Sequence, residues 1–173
     1  HFILALDNLE GLLAENAARV LAATRSAVDA VETGNPVPAP GIIDGDRAVN
    51  DAENAIEEEC LKLLALYQPV AGDLRRVITV LKVNGEVERV GDLAVNIAER
   101  LSDMVANGGK AAAKVNFQDM AERAGGMFRS ALDSLASHDA ALAEDVIHAD
   151  DAVDTLHRGN YARVRDGILA SPA

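Results

Sequence analysis

Between Ile3 and Val31 the apolar residues Leu6, Leu9, Leu13, Ala17, Val20, Ala23, Ala27 and Val31 recur every three or four positions, the period of one helix face. This predicts a first helix over 3–31. Gly34-Asn35 stops it, and GNPVPAPG reads as a stiff connector, because proline lacks the N–H that a continuing helix needs. A second helix is expected from Asp44 or Asp46 to Tyr67, with Val49, Ala52, Ile56, Cys60 and Leu63 facing inward. Gln68-Pro69 ends it. Proline disfavours helix in the residue before it but suits the first position of a new one, so QPVAGDLRR marks a break and the immediate start of a third helix. Asp73 falls in the opening turn, where the helix dipole favours negative charge. This helix should run to Ala106, about 38 residues or about 57 Å at 1.5 Å per residue. Its predicted inner stripe is Val83, Val87, Val90, Ala94, Ile97 and Leu101, the heptad spacing of bundles. After Asn107-Gly108-Gly109, two more helices are expected over 117–137 and 140–168. The fold class is therefore all-α.

The second part of the chain repeats the first. Shifted by 104 residues without a gap, RSAVDAVETGN from Arg25 lies over RSALDSLASHD from Arg129, and GIIDGDRAVN from Gly41 lies over DVIHADDAVD from Asp145. Nine of 26 aligned positions are identical, and the match crosses the loop as well as the helices, so it is taken as an internal duplication. The organisation expected is a three-helix repeat over 1–106, a linker over 107–115, and a second, two-helix repeat over 116–173. Pro69 opens helix three, and Pro172 falls near the matching place in the second copy. A third helix of that copy is thus expected to be truncated, disordered or donated by another subunit, with an apolar groove left in its place.

Composition narrows the function. Against 16 basic residues stand 28 acidic ones, a net charge of -12 without a Lys/Arg-rich run, which opposes binding to nucleic acid. Only 3% of residues are aromatic, and the abundance of Ala, Leu, Val and Glu favours helix over sheet. The single cysteine, Cys60, sits among apolar helical positions and reads as a small buried residue. No apolar run approaches the roughly 18 residues that span a bilayer, and nothing resembles a signal peptide, so a cytoplasmic protein without membrane insertion is expected. The chain begins at His1.

The candidate chemistry is acidic. Glu88, Asp92 and Asn96 stand at four-residue steps, off the predicted stripe of helix three. Asp46, Asn50, Glu53 and Glu57 share a ridge of helix two. Like charges at that spacing cost a few tenths of a kcal/mol, which either a solvated face or a bound cation accommodates. Packed as neighbours, the two helices could aim both ridges at one point. Oxygen-only ligands suit Mg, Ca or Mn ions and, with several carboxylates, iron. The second copy keeps Asp150 and Asp154 at the positions of Asp46 and Asn50. Asp145-x-x-His148 and Asp154-x-x-His157 stand nine residues apart, on opposite sides of one helix, and cannot share a di-iron site. No phosphate-binding glycine loop, nucleophile elbow or Cys/His pair is present, so no enzyme is expected.

Three segments, DRAVNDAENAIEEECLKLLA, QPVAGDLRR and EVERVGDLAVNIAER, resemble in order and spacing the PhoU family of phosphate-transport regulators. The resemblance implies tandem three-helix bundles and a non-enzymatic cytoplasmic regulator, often dimeric. It also implies partners: the ATPase subunit of the phosphate ABC transporter and the sensor histidine kinase of the phosphate regulon, both regulated negatively. Some members bind iron or other metals through acid-x-x-x-Asp motifs. By that resemblance Glu88 and Asp92 would hold Fe, Mn, Mg or Zn with Asp46, Asn50 and Glu53, and Asp150 and Asp154 would belong to a second site. Arg75 and Arg76, in the family's PxAxDLR segment, are expected to serve the helix junction rather than a partner. A ferritin-like metal-storage bundle is the alternative, disfavoured by the lack of Glu-x-x-His pairs on two helices.

Overall fold

The computed structural model describes residues 1–109, 115 and 117–170; residues 110–114 of the expected linker and Pro172 lie outside the described residues. Five helices follow one another: α1 (Phe2–Thr33), α2 (Ala39–Tyr67), α3 (Ala71–Ala106), α4 (Phe117–Ser137) and α5 (Ala140–Ala170), with no strand among the described residues. The fold is all-α. Helix α2 begins five residues before Asp44, because Pro38 caps it and Pro40 sits in its first turn, where N–H groups have no intrahelical acceptor to lose. Helix α3 begins two residues after Pro69. Gln68 (φ 46°) and Ala71 (φ 49°) both take left-handed backbone conformations, so the break occupies three residues instead of one.

Two compact units share the chain, one of His1–Ala27 with Val37–Arg100, the other of Val28–Pro36 with Leu101–Ala173. In the first, α1, α2 and α3 run up, down and up. Phe2 meets Tyr67 with ring centroids 5.4 Å apart, Asn16 Nδ2 donates to the Val49 carbonyl (3.3 Å), and Asn84 Nδ2 donates to the Glu53 carbonyl (2.9 Å). Leu6, Leu9, Leu13, Ala17 and Val20 of α1 face Ile56, Cys60 and Leu63 of α2 and Val77, Val80 and Val87 of α3 in the buried interior. Arg76 ties the start of α3 to α1 with a bidentate pair to Glu10 (3.1 and 3.0 Å) and a longer contact to Asp7 (3.6 Å). Its role is structural, but it bridges helices instead of capping the junction; Arg75 is exposed.

The inner stripe of α3 is rotated from the expected one. Val87, Ala94 and Leu101 are buried as predicted, but the alternate positions are Asn84, Gly91 and Ala98, while Val83, Val90 and Ile97 are half-buried. Small residues win those positions because α1 and α2 come close. A Cβ on Gly91 would lie 3.3 Å from Val49 Cγ1 and 3.4 Å from Val20 Cγ2.

The second unit preserves the duplication in its backbone. At the end of α1, Gly34 (φ 63°) donates to Val31 O (3.1 Å) and Asn35 to Ala30 O (2.9 Å). At the end of α4, His138 (φ 55°) donates to Leu135 O (3.3 Å) and Asp139 to Ser134 O (3.0 Å), the same Schellman pair of bonds displaced by 104 residues. Asp139 Oδ1 then caps α5 through the amides of Ala141 and Leu142, and Glu32 Oε1 caps α4 through those of Phe117 and Gln118 (2.9 and 3.1 Å). Ser134 and Asn160 are buried here, whereas Met127, Phe128, Leu132, Val146, Val153 and Leu156 remain only half-buried and Ile147 and Tyr161 are exposed.

Candidate functional site

The antiparallel packing of α2 on α3 sets Asp46, Asn50 and Glu53 beside Glu88 and Asp92. Asp46 Oδ1 lies 3.9 Å from where a Cβ on Gly91 would stand, an ordinary contact distance, whereas Val49 of the same helix would be crowded at 3.3 Å, so it is Val49 that the missing side chain accommodates. Glu88 is half-buried, and its carboxyl is held above the ordinary carboxylate range. Burial is the largest cause; the charges of Asp92, Glu53 and Asp46 and a hydrogen bond with Asp92 add to it. Asn50 Nδ2 donates to Asp46 Oδ2 at 3.0 Å, while Asn50 Oδ1 is buried without a hydrogen-bond partner.

Other members of the expected ridges stand apart. Asn96 turns its amide back onto the Asp92 carbonyl (2.9 Å) and is exposed, as is Glu57. Asp150 and Asp154 are exposed on α5, and Asp154 faces Arg158 at 3.4 Å. His148 and His157 are exposed as well. Among the described residues no three His, Cys, Asp or Glu side chains are already arranged to hold a metal ion. The cluster on α2 and α3 is thus a set of repelling carboxylates with an unmatched amide oxygen, not a closed cage.

Two buried asparagines escaped the sequence reading. Asn16 and Asn84 each give their amide hydrogens to a carbonyl of α2 and leave Oδ1 buried without a partner. Each follows the core period, a signal that an apolar-only count discards. Cys60 is fully buried, and burial pushes its thiol up to about 11, with Glu57 adding to the effect, in keeping with a packing role.

The PhoU domain family model matches residues 13–101 and 117–171. A phosphate-specific transport system accessory protein PhoU homolog of Aquifex aeolicus is 35% identical over 146 residues, covering 84% of this chain and 66% of that protein. Its counterpart in Deinococcus radiodurans is 39% identical over 127 residues, 73% of this chain and 59% of that protein. The chain therefore spans less than two thirds of the length of these relatives. The crystal structure of PhoU from Pseudomonas aeruginosa superposes with a TM-score of 0.91 at 28% identity, over 99% of this chain and 82% of that one. That of the phosphate transport system regulatory protein PhoU from Streptococcus pneumoniae gives 0.84 at 28% identity, over 92% and 75%. No described helix is long and apolar enough to cross a membrane. With its two helical repeats matched in tandem, the chain belongs to the PhoU family.

Proposed function

We propose that this chain regulates phosphate uptake without catalysis. As a cytoplasmic homodimer it would bind the ATPase subunit of a phosphate ABC transporter and a sensor histidine kinase, and shut down uptake and signalling when phosphate is plentiful. Family membership carries this reading, since its curated relatives are phosphate-specific transport system accessory proteins. Partner affinity would reside in a few buried contacts on the bundle faces. Co-purification of the chain with the transporter ATPase subunit and the kinase is the expected result; recovery of neither would refute it.

A metal ion at the junction of α2 and α3 belongs to the same proposal. Glu88, Asp92, Asp46, Asn50 and Glu53 would hold it, and it would supply positive charge that relieves their repulsion. Support comes from the buried, partnerless Asn50 Oδ1 beside a carboxyl whose neighbours raise its proton affinity; a hard cation would satisfy both. All-oxygen donors suit Mg, Mn or Fe better than Zn. Asp150 and Asp154 would serve a second metal only with further donors beside them. Glu88→Ala with Asp92→Ala should lower the iron, manganese, magnesium or zinc found by elemental analysis of the purified protein. Unchanged metal content would remove the assignment.

A further inference from the structure

Asparagine followed by glycine stands twice in the chain, at Asn84-Gly85 and at Asn107-Gly108. Such a pair carries a chemistry of its own. The glycine nitrogen can attack the asparagine Cγ and close a cyclic imide, and glycine suits the attack because no Cβ obstructs the approach. A helix opposes it, since the backbone between the two residues must rotate out of the helical arrangement and the nitrogen must leave its hydrogen bond.

The structure separates the two pairs. Asn84 lies inside α3, 2% exposed, with its amide given to the Glu53 carbonyl of α2 at 2.9 Å. Freeing it means taking the first unit apart. Asn107 is the first residue past α3, and both it and Gly108 are exposed. Its Nδ2 donates to the Asp103 carbonyl (2.8 Å), and the Gly108 N–H donates to the Val105 carbonyl (3.0 Å). Gly108 takes a left-handed φ of 70°, and the Gly109 N–H closes the turn on Met104 O at 2.8 Å. Water competes for each of these bonds. Terminal turns open at little cost, whereas interior ones open only with the whole domain. The exposed pair also falls between the two stretches matched by the family model, of which the first ends at 101 and the second begins at 117.

We propose that Asn107 is a site of spontaneous modification, cyclising on Gly108 in the folded protein and opening to an acidic residue, while Asn84 stays intact. The Gly108 nitrogen, its proton taken by hydroxide, bonds to Asn107 Cγ. The Cγ–Nδ2 bond breaks, and Nδ2 takes a proton from water and leaves as ammonia, which restores the hydroxide. Water then adds to an imide carbonyl and reopens the ring. Breaking the bond to Cγ yields aspartate, and breaking the bond to the main-chain carbonyl carbon yields isoaspartate; nothing is oxidised or reduced. Either product sets a carboxylate at the C-terminal end of α3, where the helix dipole disfavours it. Isoaspartate also adds a methylene to the main chain just ahead of Gly108 and Gly109, which displaces their amides from Val105 and Met104 and uncaps α3 between the two repeats.

The test incubates the full chain in mildly alkaline buffer made with heavy-oxygen water, beside unstructured peptides with the sequences around Asn84 and Asn107. Peptide mapping by mass spectrometry reads each site. The peptides should convert alike. In the native protein Asn107 should convert within about tenfold of its peptide, whereas Asn84 should be slowed about a thousandfold or more, the scale of a folding equilibrium. The Asn107 product should carry heavy oxygen, and hydrogen exchange at the Gly108 and Gly109 amides should quicken once it forms. A Cβ on Gly109 would stand 2.9 Å from Met104 O, so Gly109→Ala opens the turn and should bring Asn107 closer to the peptide rate without changing Asn84. Asn107→Gln should abolish the modification with circular dichroism unchanged. Native conversion at Asn107 as slow as at Asn84, or a rate indifferent to Gly109→Ala while still far below that of the peptide, overturns the proposal.

Discussion

Substituting Gly91 by alanine separates helix propensity from packing at the centre of the first unit. In an open helical position glycine-to-alanine gains about 1 kcal/mol, because alanine loses less backbone entropy on folding. Gly85, on the same helix, is such a position, with nothing within 4 Å of an added Cβ. At Gly91 the same atom would meet Val49 Cγ1 at 3.3 Å and Val20 Cγ2 at 3.4 Å, so two stiff β-branched side chains on different helices must both yield. Overpacking of that kind costs about 1–3 kcal/mol. The net for Gly91→Ala is then between about zero and a loss of about 2 kcal/mol, against a gain of about 1 kcal/mol for Gly85→Ala. With a urea m-value of about 2 kcal/mol/M, Gly85→Ala should raise the unfolding midpoint by about 0.5 M, and Gly91→Ala should leave it unchanged or lower it by up to about 1 M. Val49→Ala, which removes the nearer methyl, should cost less in the Gly91→Ala background than alone, with a coupling of about 0.5 kcal/mol or more. Equal gains for the two glycine substitutions, or no coupling to Val49, would refute the close approach of α1 and α2 at Gly91.

Further outcomes follow from the same interior. Glu88 binds its proton more tightly in the native than in the unfolded state, so stability falls as pH rises from the unfolded pKa through the raised native one, and the full penalty persists above. With metal removed by chelator, Glu88→Gln should therefore raise the melting temperature at neutral pH and have little effect below about pH 4. Arg76→Ala should cost about 1.5–3 kcal/mol in urea unfolding, because a bidentate, partly buried pair to Glu10 is lost and the Glu10 carboxylate is left without it. His138→Gly should stabilise by about 1 kcal/mol, glycine being free of the strain that a left-handed φ of 55° imposes on histidine. Cys60, buried and with its thiol pushed up to about 11, should resist iodoacetamide at pH 8 until the protein is unfolded; rapid native-state labelling would contradict its burial.

Helix number and order were legible because apolar positions in α1, α2 and α4 follow the helical period over several turns, and the bounds of α4 match to the residue. The start of α2 was not, because proline was read as a helix breaker where it serves as a first-turn residue. The stripe of α3 was misplaced by one residue at alternate positions only, Val83, Val90 and Ile97 giving way to Asn84, Gly91 and Ala98, which turns its centre by about 50°, half of the roughly 100° that separates neighbours, for a related reason. Hydrophobicity ranks valine above asparagine and glycine, whereas the interior selected size at Gly91 and a donor at Asn84. The pairing of the α2 and α3 acidic ridges could be read from spacing. The inward turn of Glu88, the partnerless Asn50 Oδ1 and the withdrawal of Asn96 depend on side-chain placement across helices, which no linear pattern encodes.

Among the described residues three helices stop in one way, with the residue after a left-handed one donating five residues back: Asn35 to Ala30, Gly109 to Met104 and Asp139 to Ser134. Glycine stands at the left-handed position in the first two and histidine in the third. The turn thus stands in both duplicated halves with glycine in one and histidine in the other, so the main-chain bonds fix where the helix ends and the side chain at the left-handed position is left to bear the strain.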